Sequence, residues 1–279
     1  MSVCYINSMM PEDEKDIVLH CLSQKDIPYD ILFITPEALL APQLQAIVKR
    51  MSEAGTLSRI VVDEAHCVDT WGDDFRPSYS NLSIFKEHNV QIVAFTGTAT
   101  EVTAQHIIDS LKLSNPTILR MSLDRPNLVF KVLEKKETKS MEYVSEMVIN
   151  KFRGLCGIVY CFSTRDTLDM AYHLKQRGVK AVYYHGQLDL FKRNNNATTW
   201  LEGRSDVMCS TNAFGMGIDK RDVRFVIHHS MPKSNEEYFQ EAGRAGRDGS
   251  SSSCILLFRF QDRGKLLKHI SEIEDDAHK

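Results

Sequence analysis

Ile60-Val61-Val62-Asp63-Glu64-Ala65-His66 is a short β-branched run that ends in two adjacent carboxylates. Runs of the same kind recur at Asp30-Ile31-Leu32-Phe33-Ile34, Gln91-Ile92-Val93-Ala94-Phe95, Gly157-Ile158-Val159-Tyr160, Ala181-Val182-Tyr183-Tyr184, Val207-Met208-Cys209 and Phe225-Val226-Ile227. Their apolar character is continuous rather than alternating, the pattern of strands covered on both faces. Between them, residues 37–54, 101–111, 163–177, 188–201 and 235–245 read as helices opened or closed by Ser, Thr, Asn or Gly. Strands alternating with helices predict an α/β fold with parallel sheets.

The chain has 279 residues, which at about 100–200 residues per domain predicts two domains. Pro126 forbids helix continuation inside Ser122-Leu123-Asp124-Arg125-Pro126-Asn127, so the boundary is expected there, dividing the chain into residues 1–122 and 123–279. An apolar share of 43% argues against a disordered chain, and a net charge of -3 argues against a strongly basic wrapper of nucleic acid. A local basic groove stays compatible with that balance. The 7 cysteines form no C-x-x-C pair and no zinc-spaced cluster, so they read as free thiols in a reducing compartment, with no zinc expected. No apolar run approaches about eighteen residues, so no membrane span is expected and the reading is a nuclear or otherwise cytosolic protein.

Asp63 and Glu64 fall at the carboxyl end of a parallel strand, where open α/β sheets bind ligands. One acid can hold Mg²⁺ while its neighbour orients a water, a division that suits phosphoryl transfer. An acidic helix cap after a strand accounts for the same pair. Far along the chain, Tyr238-Phe239-Gln240-Glu241-Ala242-Gly243-Arg244-Ala245-Gly246-Arg247-Asp248-Gly249 carries two arginines three residues apart. Guanidinium forks match phosphate oxygens bidentately, although a surface salt-bridge helix would read the same way.

Together these stretches resemble the motor core of superfamily-2 helicases, specifically the RecQ-type DNA helicases. The resemblance rests on Asp63-Glu64-Ala65-His66-Cys67, Trp71-Gly72-Asp73-Asp74-Phe75-Arg76-Pro77, Thr96-Gly97-Thr98-Ala99-Thr100, Asp124-Arg125-Pro126-Asn127, Ala213-Phe214-Gly215-Met216-Gly217-Ile218-Asp219 and Gln240 to Gly249. It implies two RecA-like lobes, the first incomplete, with nucleotide between them and DNA across their outer face. By the same resemblance the cofactors are ATP and Mg²⁺, with Asp63 holding the metal and Glu64 activating water. Arg244 and Arg247 would stabilise the transferred phosphate. His66, Gln240, Gly217 and Asp219 would support nucleotide contact and coupling, His66 as a relay rather than an acid or base.

The aromatic-rich loop sets this family apart from DEAD-box RNA helicases. Trp71 and Phe75, with Tyr79 and Arg76 beside them, can offer a stacking platform and a phosphate contact, each stacked base being worth about 1–3 kcal/mol. Thr35, Thr96, Thr98, Ser163 and Thr211 would contact the DNA backbone or relay between sites. The family usually has His where this loop has Asp73, and Ala at the position of Gly97. The implied activity is ATP-dependent 3′-to-5′ unwinding of single-stranded or forked DNA in repair and recombination.

The pattern G-x-x-x-x-G-K-[ST] does not occur in the sequence; the nearest fragment, Arg263-Gly264-Lys265-Leu266, lacks the hydroxyl residue. The resemblance places the family's phosphate loop ahead of Met1, Ser2 to Ile6 being similar to the strand that follows motif Ia. Losing one preorganised donor costs about 10²–10³ in rate, so this polypeptide alone is expected to hydrolyse ATP negligibly. Its first lobe is expected to be the less stable one.

Overall fold

The computed structural model describes residues 1–7, 10–68, 76–136, 139–215, 218–264 and 267. The chain divides into two compact units, Met1–Arg120 and Met121–Lys279.

In unit 1, β1 (Val3–Ile6) pairs in parallel with β2 (Ile31–Ile34), and β3 (Arg59–Val62) with β4 (Gln91–Ala94). These are two separate two-stranded sheets. The helices α1 (Glu12–Leu22) and α3 (Pro42–Glu53) seal one face of the first, packing Val18, Leu22, Leu44 and Ile47 on Cys4 and Ile6. α2 (Pro36–Leu39) and α3 divide a stretch that the sequence reads as one helix. Pro42 causes the break: Ala41 before it is held extended, at φ -63 and ψ 139, and the proline then occupies the first helical position.

The continuous apolar runs of unit 1 are not covered on both faces, which corrects the sequence reading. Along β1 exposure alternates, with Val3 and Tyr5 51% and 53% exposed while Ile6 is 1% exposed. Phe33 and Val61 are likewise exposed. Among the described residues the helices cover one face only, so alternate apolar residues meet solvent. The other sheet's core lies against α5 (Glu101–Ser110) and the 3₁₀ segments Ala65–Val68 and Asn81–His88, with Phe85 and Leu111 fully buried.

Unit 2 meets the two-sided expectation. Its six strands are β5 (Leu128–Glu134), β6 (Gly157–Tyr160), β7 (Ala181–Tyr184), β8 (Val207–Ser210), β9 (Phe225–His228) and β10 (Ser252–Phe258). They form one all-parallel sheet in the order β5-β10-β9-β6-β8-β7. Every residue of β6, β8 and β9 is buried. α6 (Ser140–Lys151) and α7 (Thr164–Gln176) pack one face through Val144, Val148, Met170 and Leu174. α8 (Leu190–Leu201) and α9 (Asn235–Ala242) pack with the alternate residues Ile158, Tyr160, Met208 and Val226 through Trp200 and Ala242. The sheet's carboxyl edge therefore presents the loops after β6, β8 and β9, where the candidate residues of this unit cluster.

Candidate functional site

Asp63 and Glu64 follow β3 directly, as the run of β-branched residues requires. Glu64 has φ 50, the left-handed region, which a residue with a Cβ adopts at a cost of about 1–3 kcal/mol. Its amide donates to Oδ1 of Asp63 at 3.0 Å. The adjacent amide of Ala65 donates to the Phe95 carbonyl at 2.8 Å, which ties the turn to the end of β4.

The chain beyond β4 brings Thr96 to His66. The His66 Nδ1 lies 3.1 Å from Oγ1 of Thr96 and 3.5 Å from Oε2 of Glu64, and Oγ1 of Thr96 accepts from the Thr98 amide at 3.2 Å. One chain of contacts thus joins Glu64, His66, Thr96 and Thr98. Among the described residues no group of three or more His, Cys, Asp or Glu is arranged for a metal. Mg²⁺ is satisfied by one or two carboxylates, with water and substrate phosphate supplying the other positions. Asp63 at a strand end fits that donor chemistry.

In unit 2 the arginine loop follows α9. Arg244 Nη1 donates to the Gly215 carbonyl at 2.5 Å, and Arg247 Nη1 donates to the Ile218 carbonyl at 2.9 Å and to Oδ1 of Asp219 at 3.1 Å. Asp219 and Arg247 are therefore brought together. A Cβ at position 215 would run into the Arg244 guanidinium, so a side chain there would displace the arginine from its place on the Gly215 carbonyl. Gln240 is half-buried on α9. Gly217 lies outside the described residues.

Two residues that the sequence reading treated only as part of an inter-lobe segment hold this loop. Arg125 Nη2 donates to the carbonyls of Ala245 and Gly246 at 3.1 and 2.8 Å, and Asn127 Nδ2 donates to those of Gly246 and Ser250 at 2.8 and 3.0 Å. Gly246 sits at φ 56 with Asn127 and Ser252 crowding the place a side chain would take. The only local signal was a donor pair flanking Pro126, too far in sequence from position 246 to suggest its partner.

The candidate nucleic-acid residues are already engaged in local structure. Thr35 caps α2, its Oγ1 accepting from the Ala38 amide at 3.3 Å. Ser163 caps α7 in a reciprocal box: its Oγ accepts from the Asp166 amide at 3.1 Å, while Asp166 accepts from the Ser163 amide. Thr211 accepts from the Ala213 amide at 3.4 Å in the turn after β8. Arg76 is exposed, its amide bonded to the Cys67 carbonyl at 3.0 Å. Trp71, Phe75 and Asp73 lie outside the described residues. Tyr79 does not join a stacking platform as the sequence reading had it: the four-residue α4 (Pro77–Ser80) turns it into the core of unit 1, 9% exposed.

Residues 2–107 match the DEAD/DEAH box helicase model, and residues 139–249 match the helicase conserved C-terminal domain. The chain is 38% identical over 275 residues to ATP-dependent DNA helicase Q-like 4B of Arabidopsis thaliana, covering 98% of this chain and 24% of that protein. It is 41% identical over 236 residues to ATP-dependent helicase SGS1 of Saccharomyces cerevisiae, covering 84% and 16%. It is 39% identical over 261 residues to RecQ-like DNA helicase BLM of Xenopus laevis, covering 92% and 19%. The chain thus spans less than a quarter of the length of each of these relatives.

Solved structures carry the same fold. Saccharomyces cerevisiae Dbp5 bound to RNA and ADP BeF3 (the L327V form) superimposes with a TM-score of 0.70 at 18% identity, covering 98% of this chain and 68% of that one. Mycobacterium smegmatis helicase Lhr bound to ssDNA and AMP-PNP gives 0.69 at 18% identity, covering 94% and 35%. Parallel α/β units of the RecA-like helicase type, two helicase domain matches in order and this level of identity across nearly the whole chain lead to one conclusion: the chain belongs to the RecQ-like DNA helicase family.

Proposed function

We propose that this chain is a motor segment of an ATP-dependent 3′-to-5′ DNA helicase, binding single-stranded or forked DNA in repair and recombination in the nucleus. The observation that carries the reading is its 38–39% identity, over most of its length, to proteins named as ATP-dependent DNA helicases. Asp63 would hold the Mg²⁺ that neutralises phosphate charge, and Glu64 would orient the attacking water. Arg244 and Arg247 neutralise charge on the transferred phosphate, and Asp219 and Gln240 tie that event to the rest of unit 2. Glu64, His66, Thr96 and Thr98 pass the state of the nucleotide to the DNA-contacting residues, which include Trp71, Phe75, Arg76, Thr35, Ser163 and Thr211.

The 279-residue sequence contains no G-x-x-x-x-G-K-[ST] cradle. That absence favours a second reading for the polypeptide by itself, a strand-binding segment that turns ATP over negligibly.

Fluorescence anisotropy of a labelled oligothymidylate, titrated at several salt concentrations with and without ATP and Mg²⁺, tests the proposal. Binding whose logarithm falls linearly with the logarithm of salt, and which weakens on Arg76→Ala and Thr211→Val, supports it. Absence of saturable binding at low salt would overturn it.

A further inference from the structure

Glu241, next to Gln240 on α9, is 6% exposed, and Oε2 lies 2.9 Å from Nε2 of His228, the last residue of β9. His228 is fully buried, stacked on Tyr160 with ring centroids 5.3 Å apart and edge-on to Tyr238 at 4.8 Å. Among the described residues the Nδ1 of His228 has no hydrogen-bond partner, and Glu241 is the hydrogen-bond partner of its ring. Tyr160 in turn donates through Oη to the Phe214 carbonyl at 3.0 Å, beside the Gly215 carbonyl that receives Arg244. The Arg244 amide bonds the Glu241 carbonyl, so both ends of the arginine's anchorage converge on this buried pair. A carboxyl placed in such a dry site normally costs several kcal/mol unless it is neutral and hydrogen-bonded.

We propose that Glu241 is a positioning residue: its carboxyl, hydrogen-bonded to His228, fixes the C-terminal end of α9 and thereby holds Arg244 on the Gly215 carbonyl. The inference rests on the reading of Arg244 as a phosphate-stabilising group. Burial pushes the Glu241 carboxyl up to about 8 and His228 down to about 3, so both shifts favour the uncharged forms, in which the carboxyl O–H donates to Nε2. The groups facing Glu241 are His228, Tyr160, the acid Glu237 and the cations Lys233 and Arg244; Tyr238 packs on the other side of the imidazole, and the Cys254 thiol bonds the neighbouring Ala242 carbonyl. When the carboxyl ionises it can no longer donate to His228, so the imidazole must switch tautomer and donate from Nε2, and the new charge gains attraction to Arg244, which competes with the Gly215 carbonyl. The arginine is then drawn off its anchorage.

The sign follows from the raised pKa: stability that Glu241 contributes is complete below pH about 4.5 and is lost as pH rises through about 8. Glutamine at 241 keeps the size, donates to Nε2 and cannot ionise. Hydrogen exchange at Phe214, Gly215 and residues 243–247 of the full chain therefore separates the outcomes. At pH 6.5 the wild type and Glu241→Gln exchange alike, and at pH 9 the wild type exchanges about tenfold faster than Glu241→Gln, the equivalent of one hydrogen-bond-sized change in local opening. Glu241→Ala exchanges faster at both.

Dissociation constants for a fluorescent ATP analogue are read in parallel and should weaken at pH 9 in the wild type alone. Equal exchange of wild type and Glu241→Gln at both pH values, or full protection in Glu241→Ala, overturns the proposal. If the exchange pattern holds but no variant binds the analogue, the phosphate role of Arg244 falls while the positioning of its side chain by Glu241 stands.

Discussion

Asn127→Ala tests whether the segment after the boundary braces the arginine loop. The substitution removes two donated bonds, to the carbonyls of Gly246 at 2.8 Å and Ser250 at 3.0 Å. Neither carbonyl is orphaned, because Arg125 still reaches Gly246 and Ser250 is exposed to water. The loss is then the net value of two bonds without a desolvation penalty, about 0.5–1.5 kcal/mol each and about 2 kcal/mol together. With a urea dependence of about 2 kcal/mol/M, the midpoint of unit 2 should drop by about 1 M.

Trp200 reports the transition cleanly: it is fully buried in unit 2, donates to the Gly157 carbonyl at 3.2 Å and meets Phe214 edge-on. Replacing Trp71 by Phe leaves Trp200 as the sole tryptophan. A midpoint shift below about 0.3 M would mean that these bonds are exchanged for water at no cost, and the brace would be refuted.

Further expectations are specific. Gly215→Ala, which drives a methyl into the Arg244 guanidinium, should weaken binding of an ATP analogue at least about fivefold with little effect on the far side of the sheet. Glu64→Gly should stabilise unit 1 by about 0.5–1 kcal/mol in denaturant titration, since glycine accepts φ 50 without strain, while removing the water-orienting carboxylate. Burial, with Lys135 second, holds His229 down at about 4; because that folded value is below the ordinary one, stability present above pH about 6.5 should be lost as pH falls toward 4. Urea midpoints of unit 2 measured between pH 7 and 4.5 check it, and His229→Gln should flatten the slope.

The parts of the fold that sequence reading captured are those in which local chemistry and burial agree. β6, β7, β8 and β9 are short apolar runs inside a two-sided sheet, and α7 opens on a Ser-x-x-Asp box, so pattern and structure coincide. β5 and β10 were missed for opposite reasons. β5 is an edge strand with Lys131 and Glu134 among exposed residues, and β10 begins on Ser252 and Ser253, whose polar character reads as loop although Ser252 is buried and donates to the Val223 carbonyl.

At the site, Asp63, Glu64 and the two arginines announce themselves because strand ends and glycine-flanked guanidinium groups carry local signals. Arg125, Asn127 and Glu241 do not. Their partners lie 13 to 123 residues away, and only the folded sheet brings them together. Tyr79 shows the reverse error, an aromatic whose polar neighbours suggested exposure but which a single helical turn buries.

The most direct test of the account is DNA-stimulated ATP hydrolysis by the 279-residue chain, measured beside Glu64→Gln and Arg247→Ala with oligothymidylate binding as the control. The account predicts strand binding in all three proteins and no turnover above background in any. Turnover in the parent chain that both substitutions abolish would contradict it, because phosphate would then be cradled by residues other than a G-x-x-x-x-G-K-[ST] loop.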